Sequence, residues 1–156
     1  MMKIVVVSDT HGNSVSLRKI INDESPFNYL FHCGDGIDDI ERVNIKPDIR
    51  VLGVSGNMDA YSSSRFASHA VCDIDKRRFL ILHGNIERAH DDLLGVLMAG
   101  RERDADIVVF GHTHRPFLSD ADRPILFNPG PALNGQYGII TIDENAMNFA
   151  HKRVGG

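Results

Sequence analysis

The stretch KIVVVSDTHGN, residues 3–13, combines a predicted strand with a polar turn. Residues 3–7 form a short β-branched apolar run, which is typical of a strand buried on both faces of a sheet. The turn after it carries Asp9 and His11, which are separated by a single residue. Because ligands bind at the carboxyl ends of strands in open α/β sheets, this turn is a candidate functional site.

Outward from this stretch, the chain alternates apolar runs with glycine-containing turns. Helical spacing predicts helices over residues 14–24 and 89–103, with a brief helix ending near residue 43. In the second helix the predicted apolar stripe consists of Leu93, Leu94, Leu97 and Met98. Further strands are predicted at residues 28–32, 50–54, 70–74, 78–82 and 105–110, with shorter pieces at 117–118, 125–127, 138–142 and 145–151. This order predicts an α/β fold with a parallel first sheet, and the later strands suggest a second, largely antiparallel sheet.

Composition narrows the class of protein. A length of 156 residues predicts one domain, residues 1–156. A formal charge of -4 and the lack of a long Lys/Arg run argue against a nucleic-acid-binding surface, and no apolar stretch is long enough for a membrane span. No signal sequence precedes the first strand, so we expect a cytoplasmic protein in which Cys33 and Cys72 are reduced and buried.

The turns that follow the predicted strands carry seven candidate metal ligands. Carboxylate and imidazole ligands together suit zinc, manganese, iron or nickel better than magnesium or calcium. Seven ligands are too many for one tetrahedral ion, and they match two ions that share a bridging carboxylate. In chain order the candidates are Asp9, His11, Asp35, Asn57, His83, His112 and His114.

The charges of such a site indicate its substrate. Two divalent ions bring four positive charges, whereas Asp9 and Asp35 supply two negative ones and the remaining ligands are neutral. With a metal-bridging hydroxide, the cluster keeps roughly one positive charge, which attracts an anionic ester. The ions would lower the pKa of the bridging water to about 7 and offset charge on the phosphoryl oxygens. Phosphoester hydrolysis is the reaction that this ligand set suits best.

The polar turns also resemble a known family. Five blocks match, in order, the motifs of the calcineurin-like metallophosphoesterases: DTH at residues 9–11, GDGID at 34–38, GNMD at 56–59, HG at 83–84 and GHTH at 111–114. The small size and the NPG segment at residues 128–130 resemble the compact YfcE-like phosphodiesterase branch. The resemblance extends from residue 3 to about residue 131.

This resemblance implies a four-layer α-β-β-α sandwich of two mixed β-sheets flanked by helices. It implies a dinuclear centre with the metal-bridging hydroxide as nucleophile and manganese as the leading metal, with zinc, nickel and iron as alternatives. The first ion would be bound by Asp9, His11, Asp35 and His114. The second ion would be bound by Asp35, Asn57, His83 and His112, so that Asp35 bridges the two.

The sequence departs from the family pattern at three positions. Members that cleave phosphomonoesters often carry histidine directly after the asparagine, whereas here Met58 follows Asn57. A thioether cannot transfer a proton, so Met58 favours diesters with good leaving groups. Asn57 and Asp59 are the predicted catalytic residues, and Asp59 is expected to orient His112 or another ligand. Pro131 lies where the compact branch usually has serine. Asn85 lies where that branch often has a second histidine after the HG block. Both differences should affect substrate contacts or turn shape.

Several polar residues have simpler structural interpretations. Asn and Asp after a strand are most often turn formers or helix caps, which is our interpretation of Asn13 and Asp38. His32 is expected to be a hydrogen-bonded core residue. The main interpretation of residues 128–131 is a rigid turn, and the secondary one is that they line the pocket. Polar residues 61–65 are expected to form a pocket wall. Surface positions are predicted for His69, His90 and His151.

Three functions remain open at this point. The first is a hydrolase that acts on a small or nucleotide-like phosphoester. The second is a protein-binding scaffold of the same fold, as in the retromer subunit that resembles this family. The third is a phosphomonoesterase, which Met58 disfavours. The sequence leaves the substrate and the metal undetermined. Homo-oligomerisation is also left open, because no apolar stripe marks an interface.

Overall fold

A computed structural model describes residues 1–59 and 66–155. The predicted pocket wall at residues 61–65 therefore lies outside the described residues. The helices are α1 (Ser14–Glu24) and α2 (Leu94–Glu102), and short 3-10 turns cover Ile37–Arg42, Asn57–Asp59 and Ala132–Asn134. The strands are β1 (Met2–Val7), β2 (Tyr29–His32), β3 (Arg50–Gly53), β4 (His69–Ile74), β5 (Arg77–Leu82), β6 (Ile107–Val109), β7 (Phe117–Ser119), β8 (Ile125–Asn128), β9 (Gln136–Ile142) and β10 (Met147–Arg153).

The strands form two mixed five-stranded sheets. The first has the order β10-β9-β1-β2-β3, in which β1, β2 and β3 are parallel and β9 is antiparallel to both β1 and β10. The second has the order β4-β5-β6-β8-β7, with parallel pairs β5–β6 and β6–β8 at its centre. The prediction that the later strands form a largely antiparallel second sheet is therefore wrong. Strands β5 and β6 run parallel because they are joined by a crossover through α2. The antiparallel hairpin of β9 and β10 belongs to the first sheet instead, where β9 pairs with β1.

Three apolar clusters separate these sheets and helices into four layers. Ile4 and Val6 of β1 pack between the sheets against residues such as Phe79. Val5 and Val7 point the other way, into a cluster with α1, and α2 packs on the outer face of the second sheet. All four of these β1 residues are fully buried, as predicted for a strand covered on both faces. The predicted α-β-β-α sandwich is confirmed.

The first helix has the predicted bounds and is anchored at both ends. The Asn13 side chain caps its start by accepting a hydrogen bond from the Ser16 N–H at 3.1 Å. Near its end, buried Glu24 accepts a hydrogen bond from the Tyr137 hydroxyl at 2.7 Å. The same carboxylate lies 2.9 Å from Lys3 Nζ and 2.5 Å from Lys152 Nζ. Glu24 thereby ties α1 to β1, β9 and β10.

The second helix differs from its prediction. It begins at Leu94 rather than at residue 89, because the preceding residues form a series of turns. Its buried residues are Val96, Ala99 and Gly100, whereas Leu94 and Met98 of the predicted stripe are 62% and 43% exposed. A side chain at Gly95 would overlap the Glu87 carbonyl, so this helix packs closely on the turn before it. Of the two cysteines, Cys33 is buried as predicted, but Cys72 is only partly buried.

Candidate metal centre

The candidate ligands lie on loops from both sheets, which are joined by hydrogen bonds. The Asp9 N–H donates to the Gly34 carbonyl at 2.9 Å, which connects the loops after β1 and β2. His83, after β5, donates from Nδ1 to the Cys33 carbonyl at 2.7 Å and so connects the second sheet to the first. Six of the seven candidates fall into two groups, each with ligand atoms within 4.8 Å of one another. These groups are Asp9, His11 and His114, and Asp35, His83 and His112.

The first group surrounds one oxygen of Asp9. Asp9 Oδ1 lies 3.2 Å from His114 Nε2 and 3.6 Å from His11 Nε2. The other oxygen, Oδ2, accepts hydrogen bonds from the Ser8 hydroxyl at 2.6 Å and the His112 N–H at 3.1 Å. Among the described residues, Asp9 Oδ1 and His11 Nε2 are buried atoms without a hydrogen-bond partner. Two orphaned lone-pair atoms facing each other are what a cation would satisfy.

The second group surrounds one oxygen of Asp35. Asp35 Oδ2 lies 3.1 Å from His83 Nε2, and His83 Nε2 lies 3.2 Å from His112 Nδ1. In the neutral His83 ring, the proton is on Nδ1, which donates to a carbonyl, so Nε2 has a lone pair for a metal. Asp35 Oδ1 accepts the backbone N–H of Met58 at 2.8 Å. The remaining oxygen, Oδ2, also lies 3.8 Å from His11 Nε2, so a single oxygen faces both groups.

The ionisation of these side chains reflects their burial and their mutual charges. Burial acts to raise the pKa of Asp35, but the hydrogen bond and charge of His83, the Met58 N–H and the charge of His11 together outweigh it and lower the pKa. Burial acts to lower the pKa of His83, but the Asp35 hydrogen bond and the Asp9 charge raise it. Burial and the neighbouring His83 and His90 lower the pKa of His112. Buried anionic oxygens beside imidazole lone pairs fit divalent transition-metal ions.

Five of the candidate ligands have a left-handed backbone. The φ angles are 55° at Asp9, 46° at His11, 59° at Asp35, 68° at His112 and 59° at His114. Residues other than glycine adopt this region infrequently, and such residues cluster at functional sites where the surrounding structure maintains the strain. These turns therefore direct the side chains towards one another, and the backbone strain that this costs would be unnecessary if the residues only formed turns.

Asn57 and Asp59, the predicted catalytic residues, lie on the turn after β3. Asn57 is exposed at the start of the 3-10 turn Asn57–Asp59. The buried Asp59 carboxylate accepts the N–H groups of Asp35 and Gly56, both at 2.8 Å, and that of Gly36 at 2.9 Å. A side chain at Gly56 would overlap Asp35 Oδ1, so only glycine permits this approach. Asp59 thus supports the backbone of Asp35.

The other histidines differ in how well their positions were predicted. His32 is fully buried, with Nε2 3.1 Å from Thr10 Oγ1, as expected. His69 is not the predicted free surface residue: its Nε2 lies 2.6 Å from Glu87 Oε2, and its side chain is only 20% exposed. His90 is exposed, yet its ring centroid lies 4.3 Å from that of His112. The sequence did not predict that His90 lies next to His112, because residues 89–92 were predicted as helix rather than as turns.

The segment at residues 128–131 braces the loop that carries two candidate ligands. The Asn128 amide donates to the Gly111 carbonyl and to the Thr113 hydroxyl, both at 3.1 Å. Gly130 has a φ of 82°, which suits the turn predicted here.

Within the described part of the chain, no helix is both long and apolar enough to cross a membrane.

Comparison with known proteins identifies relatives of this chain. The profile of the calcineurin-like phosphoesterase superfamily domain matches residues 2–145. A "Probable metallophosphoesterase" of Methanocaldococcus jannaschii is 33% identical over 132 residues, which cover 83% of this chain and 67% of the relative. A second protein of that organism, named as a phosphodiesterase, is 29% identical over 165 residues and 90% of each chain.

Solved structures share the fold at lower sequence identity. A predicted phosphoesterase from Streptococcus pneumoniae superposes with a TM-score of 0.80 at 21% identity, over 97% of this chain and 89% of the other. Vacuolar Protein Sorting 29 from Cryptosporidium parvum superposes with a TM-score of 0.73 at 18% identity, over 97% and 96% of the two chains. At these identities the superpositions show a common fold.

Proposed function

Because the chain belongs to the calcineurin-like phosphoesterase superfamily, we propose that it hydrolyses phosphodiesters at a dinuclear metal centre. The observation that supports two ions is the position of Asp35 Oδ2. This oxygen lies 3.1 Å from His83 Nε2 and 3.8 Å from His11 Nε2, so it is available to ligands on both sides. The proposed ligands of the first ion are Asp9, His11, Asp35 and His114, and those of the second are Asp35, Asn57, His83 and His112.

Two divalent ions bound there would activate a water molecule as nucleophile and offset charge on the phosphoryl group. The protein's own contribution is to hold its ligands in the required protonation state and direction. His83 is oriented by its bond to the Cys33 carbonyl, and Asp9 by the Ser8 hydroxyl and the His112 N–H. Met58 contributes a backbone N–H to Asp35 Oδ1, which leaves Oδ2 for the metals.

The preference for diesters rests on Met58 and on one relative. The Met58 side chain is 67% exposed next to the candidate centre, and it cannot protonate a leaving group. Without such a proton donor, substrates with good leaving groups are favoured, and a diester carries less negative charge than a monoester. The phosphodiesterase of M. jannaschii, similar along 90% of this chain, is consistent with this preference. Manganese is the proposed metal, with zinc, nickel and iron as alternatives, and the proposed substrate is small or nucleotide-like.

The test compares the manganese-loaded protein with an Asn57→Ala variant on an activated aryl phosphodiester. We expect hydrolysis by the wild type and a rate at least about 100-fold lower in the variant. Replacing a residue that only hydrogen-bonds to a metal ligand already lowers activity or metal affinity by about 10- to 100-fold, and loss of a ligand should cost at least as much. Asn134→Ala, an exposed asparagine on another turn, is the matched control. Equal rates in wild type and Asn57→Ala would contradict the proposal.

The same assay separates the remaining alternatives. A faster reaction with the matched monoester than with the diester would favour a phosphomonoesterase. A folded, metal-loaded protein that cleaves neither ester would favour the protein-binding scaffold. Metal content measured on the same sample excludes incomplete loading as the reason for inactivity.

A further inference from the structure

A cavity of ≈ 280 Å³ lies on the second sheet's side of the candidate metal centre. We call it the side pocket. It is formed by the turns between β5 and α2 and by the segment from the end of β6 to the start of β7. None of the residues discussed so far as metal ligands lines it.

The side pocket borders the second group of candidate ligands. His90, on its rim, has its ring centroid 4.3 Å from the ring centroid of His112. Thr113, in its wall, lies in sequence between His112 and His114. A phosphoester held at the metal centre would therefore have the side pocket next to one of its ester groups.

One wall of the side pocket is apolar and partly aromatic. Ala89 and Phe110 are buried, and Leu93 is partly buried. Phe117, on the edge strand β7, is 38% exposed although it is a large apolar residue. Aromatic side chains that remain accessible in a cavity are suited to stacking against a flat ring. The volume lies near the lower end of the range for ligand pockets, about 300–1,000 Å³, and suits a single ring system.

The rim adds a positive charge. Arg115 is exposed on the rim and, among the described residues, has no carboxylate within ion-pairing distance. Asp91, the acidic residue of the same rim, is paired with Arg88, whose guanidinium lies 2.8 Å away. An uncompensated guanidinium beside an aromatic wall suits a ligand that is both anionic and flat.

The wall is held in place by contacts within the chain. The Ala89 N–H donates to the Gly84 carbonyl at 2.9 Å, at the start of the turn. Glu87 pairs with His69 at 2.6 Å and packs its carbonyl against Gly95. A preformed pocket requires little ordering on binding, which favours affinity.

We propose that the side pocket binds the flat aromatic group of an anionic phosphoester and that Phe117 determines this preference. The inference rests on the proposed function, because the phosphoryl group must lie at the metal centre. The aromatic group is either a nucleobase or a simple aryl ring, and both would use the same stacking surface.

The test measures binding of two ligand pairs to the manganese-loaded protein by calorimetry. The pairs are adenosine 5′-monophosphate with ribose 5-phosphate, and phenyl phosphate with methyl phosphate. We expect the aromatic member to bind about tenfold more tightly, as for one stacking contact, and the pair with the larger ratio identifies the ring. Phe117→Ala and Phe117→Leu should both remove the preference, and Phe117→Leu preserves apolar packing if the alanine variant folds poorly. Leu118→Ala is the matched control, since the adjacent Leu118 is 37% exposed and lies outside the side pocket.

Equal affinities within both pairs, or a preference that survives in Phe117→Leu, would overturn the inference. Hydrolysis of an activated diester, measured on the same samples, separates it from the proposed function. Hydrolysis without an aromatic preference contradicts the side pocket alone. An aromatic preference that depends on Phe117, without hydrolysis of any ester, contradicts the phosphodiesterase proposal alone.

Discussion

At the scale of single residues, Asp35 divides its two carboxylate oxygens between the backbone and the candidate ligands. One oxygen accepts the Met58 N–H, and the other faces histidines of both ligand groups. Asp9 has a similar division, but its metal-facing oxygen lies 3.2 Å from His114 and 3.6 Å from His11 of the first group, and 3.9 Å from His83 of the second. The two carboxylates are therefore not equivalent, although both follow a strand of the first sheet.

This difference predicts unequal effects of removing each charge. Asp35→Asn should reduce the binding of both ions, whereas Asp9→Asn should mainly reduce one, and both should lower activity by about 100-fold or more. Metal content after dialysis, determined by elemental analysis, measures the effect directly. Asp23→Asn, an exposed carboxylate on α1, is the control. Equal metal content in both variants and the wild type would show that the two-ion assignment is wrong.

Met58 provides a second test at the residue scale. Met58→His should raise the rate on a phosphomonoester by about tenfold or more, because an imidazole next to Asn57 could protonate the leaving group. The exposed side chain leaves room for the ring, and the backbone N–H to Asp35 does not depend on the side chain. Rates on matched mono- and diesters, compared with Met58→Gln, provide the measurement. A variant whose monoester rate does not change would argue that another group protonates the leaving group.

Sequence reasoning predicted which candidate ligands lie close together better than it predicted their backbone conformation. The positions of Asp9 and His112 follow from the rule that strands end in polar turns, which acts locally. The left-handed φ of these residues depends on contacts with other loops, such as the bond from the His112 N–H to Asp9. Those contacts join residues 103 positions apart, and no local pattern contains them.

At the scale of elements, local patterns identified the helices more reliably than their packed faces. The first helix was predicted correctly because Asn13 caps it and its apolar residues face one sheet. In the second helix, the leucines that suggest an apolar stripe lie partly on the solvent side, and small residues such as Ala99 are buried instead. Close packing against the turn at Glu87 requires glycine at position 95, and this tertiary contact has no signal in the local hydrophobic period.

The buried Glu24 should make the attachment of α1 dependent on pH. Burial acts to raise the pKa of Glu24, but hydrogen bonds from Lys152, Lys3 and Tyr137 lower it to about 2 from 4.5. Because the pKa is lower in the folded state, this stabilisation is complete above pH 4.5 and is lost as the pH falls towards 2. Glu24→Gln should therefore lower the free energy of unfolding by about 2 kcal/mol at pH 7, the size expected for hydrogen bonds to a charged group.

Urea denaturation at pH 7 and at lower pH values checks this expectation. The difference between wild type and Glu24→Gln should decrease steadily below pH 4.5. Glu102→Gln, which removes an exposed carboxylate from α2, is the control and should have little effect at either pH. A difference that is constant with pH would mean that Glu24 contributes through packing rather than through its charge.

At the scale of the whole molecule, the candidate centre joins loops of two sheets whose facing sides form a mainly apolar core. Ions bound to loops of both sheets should therefore stabilise the folded chain as a unit. At a free manganese concentration about 100-fold above the dissociation constant, we expect about 3 kcal/mol, which corresponds to a rise in melting temperature of about 5–10 °C. Thermal unfolding with manganese and with a chelator measures this rise. A melting temperature that does not change while manganese remains bound would show that the ions bind the unfolded chain equally well.

The place of β1 inside its sheet has a consequence for synthesis on the ribosome. Residues 3–13 are made before residues 136–153, but one neighbour of β1 is β9, and β9 pairs in turn with β10. The Met2–Ile142 pairing closes one of the longest sequence separations in the chain. The strand that precedes Asp9 and His11 therefore has an open edge until β9 leaves the exit tunnel. Metal loading should follow the pairing of β1 with β9, and the nascent chain must keep this apolar strand from pairing with others in the meantime.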